Sequence, residues 1–355
     1  MKLLHMGDCH LDAAMESHLP KRLAEERRGE LRLTFRRALS LIKTEGADAA
    51  LLAGDVFDTP RPSAETLAYV CDAIASYPDT PFIIIEGNHD KGAWQGATLP
   101  ENAHLVSSEG FESFPLGELT VHALSYPYRP DSLTALPFSE GVGNVYLLHG
   151  TLQAAWQDAA SISPLPFAAH GADYIALGHY HAFRYERLGE NARYCYAGTP
   201  EGRGFDETGA CGAVIWDSEA PDAPVFHPLA CRTLHTLSLS LTEIEGQAAL
   251  EAAALAAAEG IGEEDMLRLV LTGSYKEGFH KNIKQLEGLL AQRFYFVRVK
   301  DESRLAISYE DYRHDVSLKG EFVRSVLSSS LSEAEKERVL LYGLRALRGE
   351  IPDKA

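Results

Sequence analysis

Five short apolar runs punctuate the first two-thirds of the chain, and each ends in a polar cluster. Lys2–Met6 leads into Gly7-Asp8-Cys9-His10, and Ala49–Ala53 into Gly54-Asp55. Pro81–Ile85 leads into Gly87-Asn88-His89-Asp90, Val145–Leu148 into His149-Gly150, and Tyr174–Leu177 into Gly178-His179-Tyr180-His181. Apolar runs this short, bounded by glycine, read as buried strands. Between them Leu31, Phe35, Ala38, Leu39 and Ile42 recur on one face of a helix, and residues 64–76 form a second helical stretch. Strand–helix alternation predicts a layered α/β fold, in which ligands collect at the carboxyl ends of the strands. All five polar clusters lie at that end.

The pattern breaks at 217–232, which is rich in proline and acidic residues, and restarts beyond it. Leu234–Leu241 and Met266–Leu271 read as strands. Thr242-Glu243-Ile244-Glu245 has the form of a capping box opening an Ala-rich helix. Residues 281–293 read as a helix, and Phe294–Val299 with Leu305–Ser308 as a strand pair. From Leu318 two amphipathic helices follow, the second behind the capping box Ser332-Glu333-Ala334-Glu335. The expected domains are residues 1–230, a small α+β domain at 231–309, and a helical tail at 310–355.

Hydrophobic residues make up 45% and charged residues 24% of the 355, a globular composition that argues against disorder. No apolar run reaches the roughly 18 residues of a membrane span. The N-terminus lacks the charged and apolar regions of a signal peptide. Five cysteines without paired spacing point to reduced thiols in the cytoplasm. The net charge is −18, opposite to the positive footprint of a tight, non-specific nucleic-acid binder. A polyanionic substrate would need local help from metal ions or a partner.

The clusters supply Asp8, His10, Asp55, Asn88, His149, His179 and His181. Carboxylate, imidazole and amide without thiolate suit Mn²⁺, Fe²⁺, Zn²⁺ or Mg²⁺ rather than a closed structural zinc site. Asp8 and His10, two apart on an extended segment, would face the same side, as would His179 and His181. Seven ligands exceed one ion's needs, and a carboxylate bridging two ions would use them all; Asp55 is the natural bridge. Two cations roughly 3.5–4 Å apart can clamp a phosphoryl centre and acidify a bound water. A lone histidine at a strand end is ordinarily structural, and Asp after Gly ordinarily a turn residue. Five such clusters, all at one end of the strands, are poorly explained that way.

The ordered series Asp8-x-His10, Gly54-Asp55-x-x-Asp58, Gly87-Asn88-His89-Asp90, His149-Gly150 and Gly178-His179-x-His181 resembles the calcineurin-like metallophosphoesterases, over residues 1 to about 215. Asp8-Cys9-His10-Leu11-Asp12, Gly54-Asp55-Val56-Phe57-Asp58-Thr59 and Gly198-Thr199-Pro200-Glu201-Gly202-Arg203 are most similar to bacterial DNA repair exonucleases of the SbcD and YhaO type. The resemblance implies an α/β/β/α sandwich followed by the capping domain and tail. It implies two divalent ions, Mn²⁺ first among the candidates. Asp8, His10, Asp55 and His181 would hold one; Asp55, Asn88, His149 and His179 the other. A metal-bound hydroxide would attack the phosphorus of a DNA phosphodiester, and His89 would assist the leaving oxygen. Asp58 would pair with His89 and raise its pKa. Archaeal and eukaryotic break-repair nucleases carry a histidine at the position of Asp58, so this chain agrees with the bacterial form.

Arg203, beside a Gly-rich turn, is the candidate phosphate contact. Lys21, Arg22, Arg27, Arg28, Arg32, Arg36 and Arg37, interleaved with Glu16, Glu25, Glu26 and Glu30, read as a solvated helix face. Lys276, Lys281, Lys284, Arg298, Lys300 and Arg304 could track a DNA strand. The expected partners are DNA and an SMC-like coiled-coil ATPase, docked through Phe322, Val326, Leu340 and Leu344; the resemblance also admits a homodimer. Two other functions fit the motifs: a metallophosphoesterase of nucleotides, cyclic nucleotides or phosphoproteins, and a catalytically silent DNA-tethering subunit. The second domain argues against the first, and the intact His89 and Asp58 against the second.

Overall fold

The computed structural model describes all residues except 16–18, 191, 277, 307–311 and 348–355. Glu16 and Ser308 therefore lie outside the described residues. The chain divides into two compact units, Met1–Leu234 and His235–Ala355.

The strands of the first unit are β1 (Lys2–Met6), β2 (Ala49–Ala53), β3 (Phe82–Ile85), β4 (Ala103–Leu105), β5 (Glu112–Leu116), β6 (Leu119–Ala123) and β7 (Gly143–His149). They continue with β8 (Thr151–Leu152), β9 (Ser161–Ile162), β10 (Ala172–Gly178), β11 (Arg184–Leu188), β12 (Ala192–Tyr196), β13 (Gly212–Asp217) and β14 (Val225–Pro228). The helices are α1 (Lys21–Leu41), α2 (Ala64–Ala75) and α3 (Leu165–His170).

One sheet runs β14-β13-β1-β2-β3-β4 and the other β11-β12-β10-β7-β6-β5. β1 to β4 are mutually parallel, as are β6, β7, β10 and β12; antiparallel strands close the remaining edges.

Period-two alternation explains the layering. Along β7, Val145 and Leu147 enter the core between the sheets, while Tyr146 and Leu148 pack outward with Phe167 of α3. Along β10, Tyr174 and Ala176 face inward and Ile175 and Leu177 outward. Strands covered on both faces must be apolar throughout, which is why they read as unbroken runs. On the other side α1 lays Ala24, Leu31, Phe35, Ala38 and Leu39 toward the protein, and it contacts β1 and β13. The result is an α/β/β/α sandwich.

In the second unit β15 (Leu234–Ser240), β16 (Met266–Thr272) and β18 (Phe296–Asp301) form a three-stranded sheet, with β16 and β18 parallel. Its core includes Leu250 and Ala254 of α4 (Gln247–Ala257) and Leu286 and Leu290 of α5 (Ile283–Leu290). Leu305 does not pair with residues 294–299 as expected, and residues 307–308 lie outside those described. β19 (Arg304–Leu305) pairs in parallel with β17 (Ser274–Tyr275) instead. The box at Thr242 does not open α4 either. The N-cap is Gly246 at φ 89°, and no side chain caps it.

The tail forms α6 (Leu318–Leu327) and α7 (Glu333–Leu347). The box at Ser332 does form: Ser332 N–H donates to Glu335 Oε2 at 2.9 Å, and Glu335 N–H donates to Ser332 Oγ at 3.4 Å. Val323, Val326, Leu340 and Leu344 bury against one another, with Phe322 packed on them. Among the described residues no helix is long and apolar enough to cross a membrane.

Candidate metal centre

The five polar clusters meet at the carboxyl ends of β1, β2, β3, β7 and β10. The loops after β1 and β2 run side by side: the N–H groups of Asp8, His10 and Leu11 donate to the carbonyls of Gly54, Asp55 and Val56 at 2.9–3.0 Å. Asp90 ties in the loop after β3. Its buried carboxylate accepts the N–H of Gly87 at 2.7 Å and of Val56 at 2.8 Å. Burial and the nearby Asp55 charge push Asp90 up to about 7.

The segments are not extended, so the expected reason for Asp8 and His10 sharing a side is corrected. Asp8, His10, Asp55 and His179 have φ of 50°, 44°, 49° and 93°. Left-handed turns are strained for such residues and collect at functional sites. Gly178 makes room, since a Cβ there would lie 2.0 Å from the Ala53 carbonyl and 2.8 Å from His149 Nδ1.

The seven candidate ligands form two groups. In the first, His10 Nε2 faces His181 Nε2 at 3.3 Å, with Asp55 Oδ2 3.9 Å from the former and Asp8 Oδ1 3.8 Å from the latter. The opposite nitrogens are engaged: His10 Nδ1 with Asp58 Oδ1 at 2.9 Å, and His181 Nδ1 with Glu207 Oε1 at 2.7 Å. A carboxylate at Nδ1 keeps the proton there and leaves the Nε2 lone pair outward. Two such lone pairs facing each other repel unless a cation lies between them.

In the second group, Asn88 Oδ1 is 3.0 Å from His149 Nε2 and 2.9 Å from His179 Nδ1, and Asp55 Oδ2 is 3.3 Å from His149 Nε2. His149 Nδ1 donates to the Ala53 carbonyl at 2.8 Å, which turns Nε2 toward Asn88 and Asp55. Burial opposes ionisation of Asp55, but the hydrogen bond and charge of His149 outweigh it and hold the carboxyl well below its ordinary range. Asp55 belongs to both groups. The donor set fits two divalent cations, and the oriented histidines fit ligation better than packing.

Asp58 pairs with His89 at the long end of ion-pair range and departs from expectation in also holding His10. Its short hydrogen bond goes to His10, while His89 Nδ1 stands 3.8 Å away. His89 is half-exposed, with its ring edge-to-face on His10 at 4.9 Å. Arg203 also departs. Its Nη1 donates to Asp58 Oδ1 at 2.9 Å and its Nη2 to Glu207 Oε1 at 2.7 Å. The guanidinium fork is spent on two carboxylates, each of which orients one histidine of the first group. Glu207 is a functional residue that sequence reasoning missed. It is a loop carboxylate four residues after Arg203, and nothing local distinguishes it. Burial would raise its pKa, but His181 and Arg203 hold it at about 2.

The basic run on α1 is partly structural. Arg27 is fully buried, with Nη2 2.8 Å from the carboxylate of buried Glu201. Arg22 and Arg32 pair with Glu26 and Glu65 on the surface. In the second unit Lys276, Lys281, Lys300 and Arg304 pair with Glu245, Asp301, Glu302 and Glu337. The four docking candidates are also corrected: Val326, Leu340 and Leu344 are buried in the α6–α7 hairpin with Phe322 against them. Among the described residues of the tail, the large apolar side chains left exposed are Val316, Leu318, Leu331, Val339, Tyr342 and Leu347.

The model of the calcineurin-like phosphoesterase family matches residues 1–183, and the chain belongs to that family. The uncharacterized metallophosphoesterase YhaO of Bacillus subtilis is 27% identical over 60% of this chain and 56% of its own. The DNA double-strand break repair protein Mre11 of Aeropyrum pernix is 28% identical over 63% of this chain and 59% of its own. The SbcD component of the SbcCD nuclease of Escherichia coli is 24% identical over 96% of both chains. The chain thus spans little more than half the length of the first two relatives.

Proposed function

We propose that the chain hydrolyses DNA phosphodiester bonds with two divalent cations, as the nuclease component of a larger assembly. The observation that carries the reading is the pair of donor groups sharing Asp55, each with its histidine nitrogens turned toward a common point. Asp8, His10, Asp55 and His181 would hold one ion; Asp55, Asn88, His149 and His179 the other. Oxygen and nitrogen donors without thiolate admit Mn²⁺, Fe²⁺, Zn²⁺ or Mg²⁺, and Mn²⁺ is the ion the family resemblance puts first. Bound cations supply an acidified water and neutralise charge on the phosphoryl oxygens.

The chain's own residues do the rest. Asp58 and Glu207 hold His10 and His181 in the ligating tautomer, and Arg203 locks the two carboxylates together. His89, half-exposed at the edge of the cluster, is the group that gives a proton to the departing sugar oxygen. Asp58 Oδ1 lies 3.8 Å from its Nδ1.

DNA as substrate is supported by the Aeropyrum pernix relative, named as a DNA double-strand break repair protein, and by the E. coli relative, named as a subunit of a nuclease and matched almost end to end. That name also supports a partner. We assign an SMC-like coiled-coil ATPase to the exposed apolar side of the α6–α7 hairpin, where Leu318, Val339, Tyr342 and Leu347 lie. Five free cysteines support a reducing, cytoplasmic setting.

The test is turnover of linear DNA, an aryl phosphodiester and cyclic nucleotides by metal-depleted protein, with Mn²⁺ titrated back. DNA should be the preferred substrate. Cyclic nucleotides hydrolysed with linear DNA left intact would identify a small-substrate phosphoesterase.

A further inference from the structure

Tyr180 stands between two of the histidines, and the metal chemistry does not use it. Its backbone is pinned on both sides. His179 N–H donates to both Asp8 carboxylate oxygens at 3.0 Å, and the His181 carbonyl accepts Thr199 N–H at 3.0 Å. The left-handed His179, at φ 93°, takes the chain out of the β10 extension just before it. Tyr180 itself keeps 52% of its surface exposed.

The ring is backed by another that cannot move. Tyr196 lies edge-to-face at 5.6 Å and 64°. The Tyr196 hydroxyl donates to the Gly150 carbonyl at 3.1 Å and accepts Leu152 N–H at 3.0 Å. An aromatic ring half in water, fixed through its backbone and supported from one side, has little freedom left to lose on binding. It lies one residue from ligands of both candidate ions. A planar, uncharged, π-faced group beside a phosphate is the chemistry it matches, and a nucleobase has that form.

We propose that Tyr180 is the stacking platform for the nucleobase next to the scissile phosphate. The inference rests on the nuclease reading above. It adds a specificity: a base must leave its duplex neighbours to offer a face, so the substrate at this position is an unpaired nucleotide of any sequence.

The experiment is a coupling cycle with a spectroscopic arm, on short single-stranded oligonucleotides whose bases are natural, 2-aminopurine or all abasic. Tyr180→Ala should raise KM on the natural oligonucleotide by about 5- to 150-fold, the factor that base–aromatic stacking carries. Tyr180→Phe should keep the wild-type KM. Removing the bases should cost the wild type a similar factor and cost Tyr180→Ala little more, because the two changes delete one interaction. Emission of 2-aminopurine should be quenched by wild type and by Tyr180→Phe, but not by Tyr180→Ala. The proposal is overturned if Tyr180→Ala keeps its KM, if the two losses add in full, or if the variant loses metal by elemental analysis. Should the wild type leave the natural oligonucleotide uncut while hydrolysing an aryl phosphodiester, the nuclease reading falls and takes this one with it. An additive cycle on an oligonucleotide that is cut sinks the stacking role alone.

Discussion

Glu207→Gln should weaken one metal site and spare the other. Glu207 is nearly covered, with a side-chain exposure of 5%, and it touches the centre only through His181 Nδ1, at 2.7 Å. Its surroundings hold its pKa at about 2, against 4.5 for the free side chain. That difference is on the order of 3 kcal/mol in favour of the carboxylate. Glutamine keeps the shape and gives up the charge, so this is the ceiling on what can be lost. Part of it concerns Arg203 and never reaches a cation. Loss of an outer partner of a ligating histidine ordinarily costs 10- to 100-fold in metal affinity, or about 1.4–2.7 kcal/mol, which fits under the ceiling. Calorimetric titration of chelator-treated protein with Mn²⁺ should resolve the effect. The step assigned to Asp8, His10 and His181 should weaken by that factor, while the step assigned to Asn88, His149 and His179 keeps its affinity. Thermal unfolding in chelator would show that the variant is folded. Unchanged affinity at both steps, or equal loss at both in a folded protein, would refute the idea that Glu207 acts through His181.

Three further outcomes follow from the same structure. His89→Ala should retain both ions by elemental analysis and lose about 10²–10⁴ in kcat on DNA; an aryl phosphodiester, whose leaving group needs little protonation, should lose much less, and equal losses would remove the acid role. His5 is buried against Tyr174 and the Leu177 carbonyl, and burial lowers its pKa to about 3 from 6.5. The unfolded chain therefore binds the proton better, so stability is complete above pH 6.5 and falls toward pH 3 by up to about 1.4 kcal/mol per unit. Urea unfolding in chelator should show a shallower slope for His5→Asn, and an unaltered slope would contradict the burial argument. Leu344→Ala, at a site 2% exposed, should cost about 2–5 kcal/mol of local stability. Hydrogen exchange should rise across α6 and α7 with residues 1–234 unaffected; protection unchanged in the hairpin would show that Leu344 does not hold it.

What was legible in the sequence follows from burial. β1 and β2 occupy the residues their apolar runs mark out, because both faces of each strand are covered. Edge strands such as β5, β11 and β14 mix polar and apolar residues, and left no comparable signal. The box at Ser332 caps a helix, whereas the matching pattern at Thr242 does not, because Gly246 caps α4 just beyond it. The seven candidate ligands were readable because each sits at the end of a buried run. Their supporting shell was not: Glu207 and Arg203 gain their meaning from His10, Asp58 and His181, residues distant in sequence that only the folded sandwich brings near. The tail shows the converse, since an apolar helical stripe reads alike whether it meets a partner or the neighbouring helix.

Asp55 is the side chain on which the two-ion account depends, and Asp55→Asn tests it most directly. Metal-depleted wild type and variant would be titrated with Mn²⁺ while bound metal and release of nucleotides from end-labelled linear DNA are followed in the same samples. The account predicts two ions per wild-type chain, with hydrolysis appearing only as the second is taken up. It predicts fewer than two ions and almost no hydrolysis for Asp55→Asn. A variant that binds two ions and digests the DNA at the wild-type rate would contradict it.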